Sequence, residues 1–180
     1  MKLRKGSQDA TGLTFGIVAS KFNKFVTSRL LTECVKALTK AGVTDEAIEV
    51  VRVPGAFEIP LVARQLARSG RFDAVICLGA VIRGDTPHFE YISTEVSRGI
   101  LQASMDSNIP VIFGVLTTDT VAQAIERADP EKLNRGADAA KTAIEMVNVM
   151  RLLKKEESGE VPKSATPPRR AARTTTRSKR

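Results

Sequence analysis

The chain has 180 residues and a formal net charge of +8, with 42% hydrophobic and 27% charged residues, which is ordinary globular usage and room for one domain with a real core. No run of about 18 apolar residues marks a membrane span. The start Met1-Lys2-Leu3-Arg4-Lys5 lacks an apolar signal core, so the cytoplasm is the expected compartment. Cys34 and Cys77 stand far apart inside apolar stretches and no CxxC pair exists, which reads as two buried thiols. With His88 the single histidine, a metal site is not expected. The charge is unevenly placed: residues 154–180 hold nine Lys/Arg against three Asp/Glu, and residues 1–153 hold nineteen against seventeen. Residues 164–180 contain no large apolar side chain and cannot offset their ordering entropy, so the tail is expected to be disordered. Contact with a polyanion and a solvated arm without a partner are both open readings of it.

In chain order, residues 13–20 (LTFGIVAS) read as a first buried strand. Leu30, Leu31, Cys34, Val35 and Leu38 then form the apolar face of a helix that Ala41-Gly42 closes. Residues 47–53 (AIEVVRV) are a second strand, and 57–67 a second helix with Pro60 tolerated in its first turn. Residues 73–80 (DAVICLGA) are a third strand followed by a helix over 91–105. Residues 111–116 (VIFGVL) are a fourth strand, followed by helices over 120–128 and 136–152. Strands alternating with helices predict a three-layer α/β sandwich with a four-stranded, mainly parallel sheet and helices on both faces.

Such sheets hold ligands at the carboxyl ends of their strands. The segments there begin at Ser20, Pro54, Ala80 and Thr117. Phe22 and Phe57 could clamp a flat ring, and Glu58 could accept hydrogen bonds from hydroxyls or amines; taken alone, each phenylalanine reads as a cap on the core. In the third segment Thr86 suits an N-cap, Pro87 the first helical position and His88 the second. Gly84 before such a helix start exposes N–H groups to an anion, which the charge of Asp85 would oppose unless it points away. No GxGxxG follows a strand, and neither a GxxxxGK[ST] loop nor a GxSxG elbow is present.

Phe22-Asn23, Pro54-Gly55-Ala56-Phe57-Glu58-Ile59-Pro60, the run from Gly79 through Arg83-Gly84-Asp85-Thr86-Pro87-His88 to Phe89, Phe113-Gly114-Val115-Leu116-Thr117 and Gln123-Ala124-Ile125-Glu126-Arg127-Ala128 occur in order. Together they resemble the 6,7-dimethyl-8-ribityllumazine synthases, over about residues 12–150. The resemblance implies a flavodoxin-like fold, a catalytic domain over 1–153 and a basic tail over 154–180. It also implies the penultimate step of riboflavin synthesis, a transferase reaction without metal or cofactor. In that step 5-amino-6-(D-ribitylamino)uracil condenses with 3,4-dihydroxy-2-butanone 4-phosphate, releasing phosphate and water. By the same resemblance Phe22 stacks on the pyrimidine, and Ala56, Phe57 and Glu58 take the ring substituents and ribityl chain. Ala80, Val81 and Ile82 run along the ring, and Phe113 completes the pocket. Asp85, Thr86 and Arg127 hold the butanone phosphate, and His88 transfers protons.

One expectation comes from geometry. A helix over 120–128 runs back toward the strands' amino ends, so Arg127 retreats on the order of 12 Å from its own crevice. Phe113 lies early in its strand, so both should serve a neighbour's pocket; taken alone, Arg127 reads as a cap on its own helix. The resemblance agrees, implying a homopentamer with sites between subunits. Some members pack twelve pentamers into an icosahedral sixty-subunit shell, and the short loop 129–134 leans toward that form. A flavin- or lumazine-binding or shell-forming protein without catalysis is the rival; it would be free to lose His88 or Arg127, and both are present.

Overall fold

The computed structural model describes residues 1–157. Four strands, β1 (Phe15–Ser20), β2 (Ile48–Val53), β3 (Ala74–Ile82) and β4 (Val111–Thr118), form one sheet in the order β2-β1-β3-β4. All three pairings are parallel. Five helices alternate with them: α1 (Lys24–Lys40), α2 (Ile59–Arg68), α3 (His88–Ser107), α4 (Val121–Ala128) and α5 (Arg135–Glu157). The expected α/β sandwich is the observed one, with every strand parallel.

Two cores lie on the two faces of the sheet. On one, Leu30, Cys34 and Leu38 of α1, Ala124 and Ala128 of α4 and Ala140 and Ile144 of α5 meet Phe15, Ile17 and Ile76. On the other, Ile59, Ala63 and Leu66 of α2 and Val96 and Ile100 of α3 meet Val18, Val75 and Cys77. β1 is buried along its whole length, as a central parallel strand must be. Burial pushes the Cys34 thiol up to about 12 and the Cys77 thiol higher still, so neither is a nucleophile at neutral pH. On the α2–α3 side the helices approach so closely that a Cβ on Gly99 would lie 2.7 Å from the Pro60 Cβ.

The structure moves several boundaries. β3 and β4 run to Ile82 and Thr118 rather than 80 and 116, because the ladder continues through Val81↔Thr117 and Ile82↔Thr118. Ala80, Val81 and Ile82 are therefore the rigid end of a strand rather than a loop. α3 starts at His88, three residues before its apolar periodicity. The cap expected of Thr86 is not made: Pro87 occupies the N-cap place at φ −62° and ψ −3°, no side chain caps the helix, and His88 is its first residue. The Glu90 N–H donates to the Pro87 carbonyl (2.9 Å), a turn that starts the helix without a hydroxyl. α5 reaches Glu157 and so runs through the boundary expected at 153/154. The rest of the basic tail lies outside the described residues, and with it the expectations of disorder and polyanion contact. Among the described residues no helix is long and apolar enough to cross a membrane.

Candidate active site

The chain crosses the sheet differently on either side of β1: β2 lies to one side of it, β3 and β4 to the other. At that switch point no connection fills the space above the strand ends, and a crevice is left open. Here it is a cavity of about 670 Å³, lined from the ends of β1, β2 and β3 and the first turns of α3.

The loop after β1 is stitched to the loop after β2. The Lys21 N–H donates to the Val53 carbonyl (2.7 Å) and the Phe22 N–H to the Pro54 carbonyl (3.0 Å). Asn23 follows in the left-handed region (φ 53°), which asparagine adopts more readily than most residues, and turns the chain into α1. Its Nδ2 donates to the Ala80 carbonyl (2.9 Å), pinning the end of β1 to the end of β3. The Phe22 ring is left 70% exposed on the cavity wall, and Phe57 faces the same cavity at 57%. Both expected core caps are thus rim residues, because their segments lie beyond the sheet. Glu58 occupies the N-cap place of α2, and one carboxylate oxygen accepts from the Gly55 N–H (2.8 Å). Its other oxygen has no protein donor among the described residues. Ala56 and the β3 end Ala80-Val81-Ile82 form a small-residue floor that a planar ring can approach.

The far wall is the β3–α3 connection. Gly84, Thr86, His88, Phe89 and Ile92 line it. Arg83, at its start, donates from Nε to Asp119 (2.8 Å) and from Nη1 to Glu90 (2.7 Å), with its guanidinium carbon 4.3 Å from the Phe89 ring centre. Chemically the cavity offers three phenylalanine rings, a carboxylate, an imidazole at a helix start and a hydroxyl.

Three expected residues are not brought to it. Asp85 is exposed in the connection but does not line the cavity. Phe113, 46% exposed, and Arg127 meet instead in a second groove of about 530 Å³ along the outer edge of β4, with Arg135 and Asp138. Arg127 donates from Nη1 to the Gln123 carbonyl (3.1 Å) and so lies along its own helix. Asn23, Phe89 and Ile92 line the cavity without having been given a role from the sequence. The signal for Asn23 was a residue tolerant of positive φ between a strand end and a helix; Phe89 and Ile92 carried none beyond helical spacing.

The fold and cavity define a flavodoxin-like α/β protein with phenylalanine rings, a carboxylate and an imidazole gathered around a cavity at its topological switch point. The comparisons with known proteins narrow this. The family model for 6,7-dimethyl-8-ribityllumazine synthase matches residues 12–151. The 6,7-dimethyl-8-ribityllumazine synthase of Syntrophus aciditrophicus (strain SB) is 60% identical over 147 residues, 82% of this chain and 96% of the relative. The chain belongs to the 6,7-dimethyl-8-ribityllumazine synthase family, and the lumazine-forming condensation described above, a step of riboflavin biosynthesis, is its reaction.

Proposed function

We propose that the switch-point cavity is where 5-amino-6-(D-ribitylamino)uracil and 3,4-dihydroxy-2-butanone 4-phosphate are joined, and that a neighbouring subunit completes it. One observation carries this reading. Phe22, Ala56, Phe57, Glu58, Ala80, Val81, Ile82, Thr86 and His88 share one cavity at the strand ends, while Phe113 and Arg127 share a different groove along the β4 edge of the sheet.

The pyrimidine stacks on Phe22 with its edge along Ala80–Ile82, where strand-end backbone groups read its carbonyls and N–H groups. Glu58, fixed by Gly55, accepts from ribityl hydroxyls through its remaining oxygen, and the Phe57 and Ala56 backbone borders that chain. The butanone phosphate lies at the β3–α3 connection, where Thr86 and the N–H groups behind Gly84 serve its phosphate and Asp85 turns outward. The ring amine attacks the ketone carbon, a C–N bond forms, and loss of water gives the imine. Elimination of phosphate and closure of the second ring by the other nitrogen follow, with release of a further water. Each step moves protons between nitrogen, oxygen and carbon, and His88 is the titratable group at that end of the cavity. Holding both reactants in one site supplies much of the remaining acceleration.

The partner subunit presents its β4 edge, adding Phe113 over the ring and Arg127 to the phosphate. A ring of such head-to-tail contacts is the pentamer that the resemblance implies. The loop 129–134 folds tightly on Asp129, which accepts from the Glu131, Lys132 and Asn134 N–H groups. Its compactness supports the sixty-subunit shell. Residues 1–153 form the catalytic unit, and the basic segment beyond α5 is separate from catalysis. The test is to mix the purified protein with both substrates and follow the fluorescent lumazine against an enzyme-free control. Acceleration is expected, and a folded, oligomeric protein that gives none overturns the proposal.

A further inference from the structure

The connection that carries Thr86 and His88 is poorly held by its own residues. Residues 83–88 are exposed, and a Cβ on Gly84 would meet nothing within 4 Å. Among the described residues the side chains of Asp85, Thr86 and His88 make no hydrogen bond to the protein. What spans the connection is the side chain of Arg83. It leaves the end of β3, where its own N–H donates to the Thr118 carbonyl (2.9 Å), and crosses to the first turn of α3. There it bonds Glu90 and stacks on Phe89, and on its other side it bonds Asp119. Asp119 is fixed in turn: its N–H donates to Gln123 Oε1 (2.9 Å), and the Gln123 N–H donates to Thr120 Oγ1 (3.2 Å) at the start of α4.

We propose that Arg83 is a positioning residue for the reaction, a brace that closes the 84–88 connection into the shape in which Thr86 and His88 meet the butanone phosphate. The inference rests on the reading of that connection given above. Arg83 stands in an anion-binding segment yet is not free to bind an anion. Two carboxylates already engage its fork, and the hydrogen bonds to Asp119 and then Glu90 hold its pKa above the ordinary arginine value. The planar guanidinium suits the task, since it reaches two acceptors in different directions while lying flat on a ring. A lysine ammonium in its place is a single point charge on a flexible stem.

The experiment compares Arg83→Met, Arg83→Lys, Glu90→Gln and Asp119→Asn by steady-state kinetics in each substrate, with inorganic phosphate as a competitive probe. A misplaced reacting group costs on the order of tenfold to a hundredfold, so Arg83→Met should lower kcat/KM for butanone phosphate by that factor. KM for the ribitylaminouracil and the melting temperature should stay near those of the parent, because exposed ion pairs add little stability. Arg83→Lys should fail to rescue, and Glu90→Gln and Asp119→Asn should weaken phosphate inhibition. If either carboxylate variant tightens phosphate binding, Arg83 is a released phosphate ligand and the brace is overturned; unchanged kinetics in Arg83→Met overturn it too. Thr86→Ala and His88→Ala separate the two readings. If they impair use of butanone phosphate while Arg83→Met does not, only the brace fails. If they do not, the connection itself has been misread.

Discussion

Subunits carrying His88→Ala and subunits carrying Arg127→Ala should restore activity to one another when mixed. Alone, each is defective. Loss of a positioned proton carrier costs about 10²–10⁴ in rate. Loss of the charge-assisted bonds of a guanidinium to a phosphate costs about 1.5–3 kcal/mol, roughly 10–150-fold in kcat/KM. In the structure His88 lines the switch-point cavity, whereas Arg127 lies at the far end of α4 in the groove beside β4, so one chain cannot bring the two together. In the proposed closed ring each site would take its imidazole from one subunit and its guanidinium from the next. After unfolding and refolding an equal mixture, a site has an intact His88 with probability one half and an intact neighbouring Arg127 with probability one half. About one quarter of the sites should therefore be wild type, well above the mean of the two parents at low butanone phosphate. Initial rates of lumazine formation, measured on the mixture and on each parent refolded alone, make the comparison. A mixture no more active than that mean would refute the shared site.

Phe22→Ala should raise KM for the ribitylaminouracil by roughly 5–150-fold, the 1–3 kcal/mol of a stacked base. Its melting temperature should not move, since the ring is already exposed; a large fall would mean that Phe22 packs the fold rather than the substrate. Gly99→Ala sets a methyl 2.7 Å from the Pro60 Cβ, against a stiff ring in the first turn of α2, and should cost about 1–3 kcal/mol of stability. It should also raise KM for the ribityl substrate by displacing Glu58, and wild-type melting would show that the helices slide apart freely. Cys34 is held protonated from its ordinary 9.0 up to about 12 by burial, so the folded state keeps a proton that the unfolded state loses. Its contribution is full below pH 9 and falls at roughly 1.4 kcal/mol per pH unit as pH rises toward 12. Denaturant unfolding across that window should show a shallower fall in Cys34→Ala, and identical slopes would mean that the thiol reaches solvent.

The strands and helices were legible because apolar runs of Val and Ile alternate with helical spacing, and that pattern is local. The ends were less so. β4 outruns its apolar residues into Thr117 and Thr118, and β3 continues through Val81 and Ile82, because each strand supplies the other's hydrogen bonds there and no single segment announces its partner. α3 outruns its apolar face at the other end, since His88 and Glu90 turn as a helix while facing the cavity and Arg83, and of this first turn Phe89 alone also packs on the core. That Phe22, Phe57 and Glu58 line the switch-point cavity was legible because they follow strands. The retreat of Arg127 was also legible, from helix rise alone. The bracing role of Arg83 was not, because Asp119 is thirty-six residues away in sequence and the contact exists only once β3 and β4 pair.

The placement of aromatic rings argues for a site that the isolated chain leaves unfinished. The protein has seven phenylalanines, one tyrosine and no tryptophan, and among them only Phe15 is fully buried. The cores are filled by Val, Ile, Leu and Ala, while Phe22 and Phe57 stand exposed at the cavity and Phe113 at the β4 edge. Large rings held in water are unfavourable unless something covers them, and clustered exposed rings mark surfaces that are covered in use. In the proposed site the pyrimidine would cover Phe22 and the ribityl chain would pass Phe57. The Phe113 ring, on the β4 edge, would be covered by closing the pyrimidine pocket of a neighbouring subunit. In that arrangement substrate binding and assembly would bury the same kind of surface, and the shared site and the ring of subunits would stabilise each other.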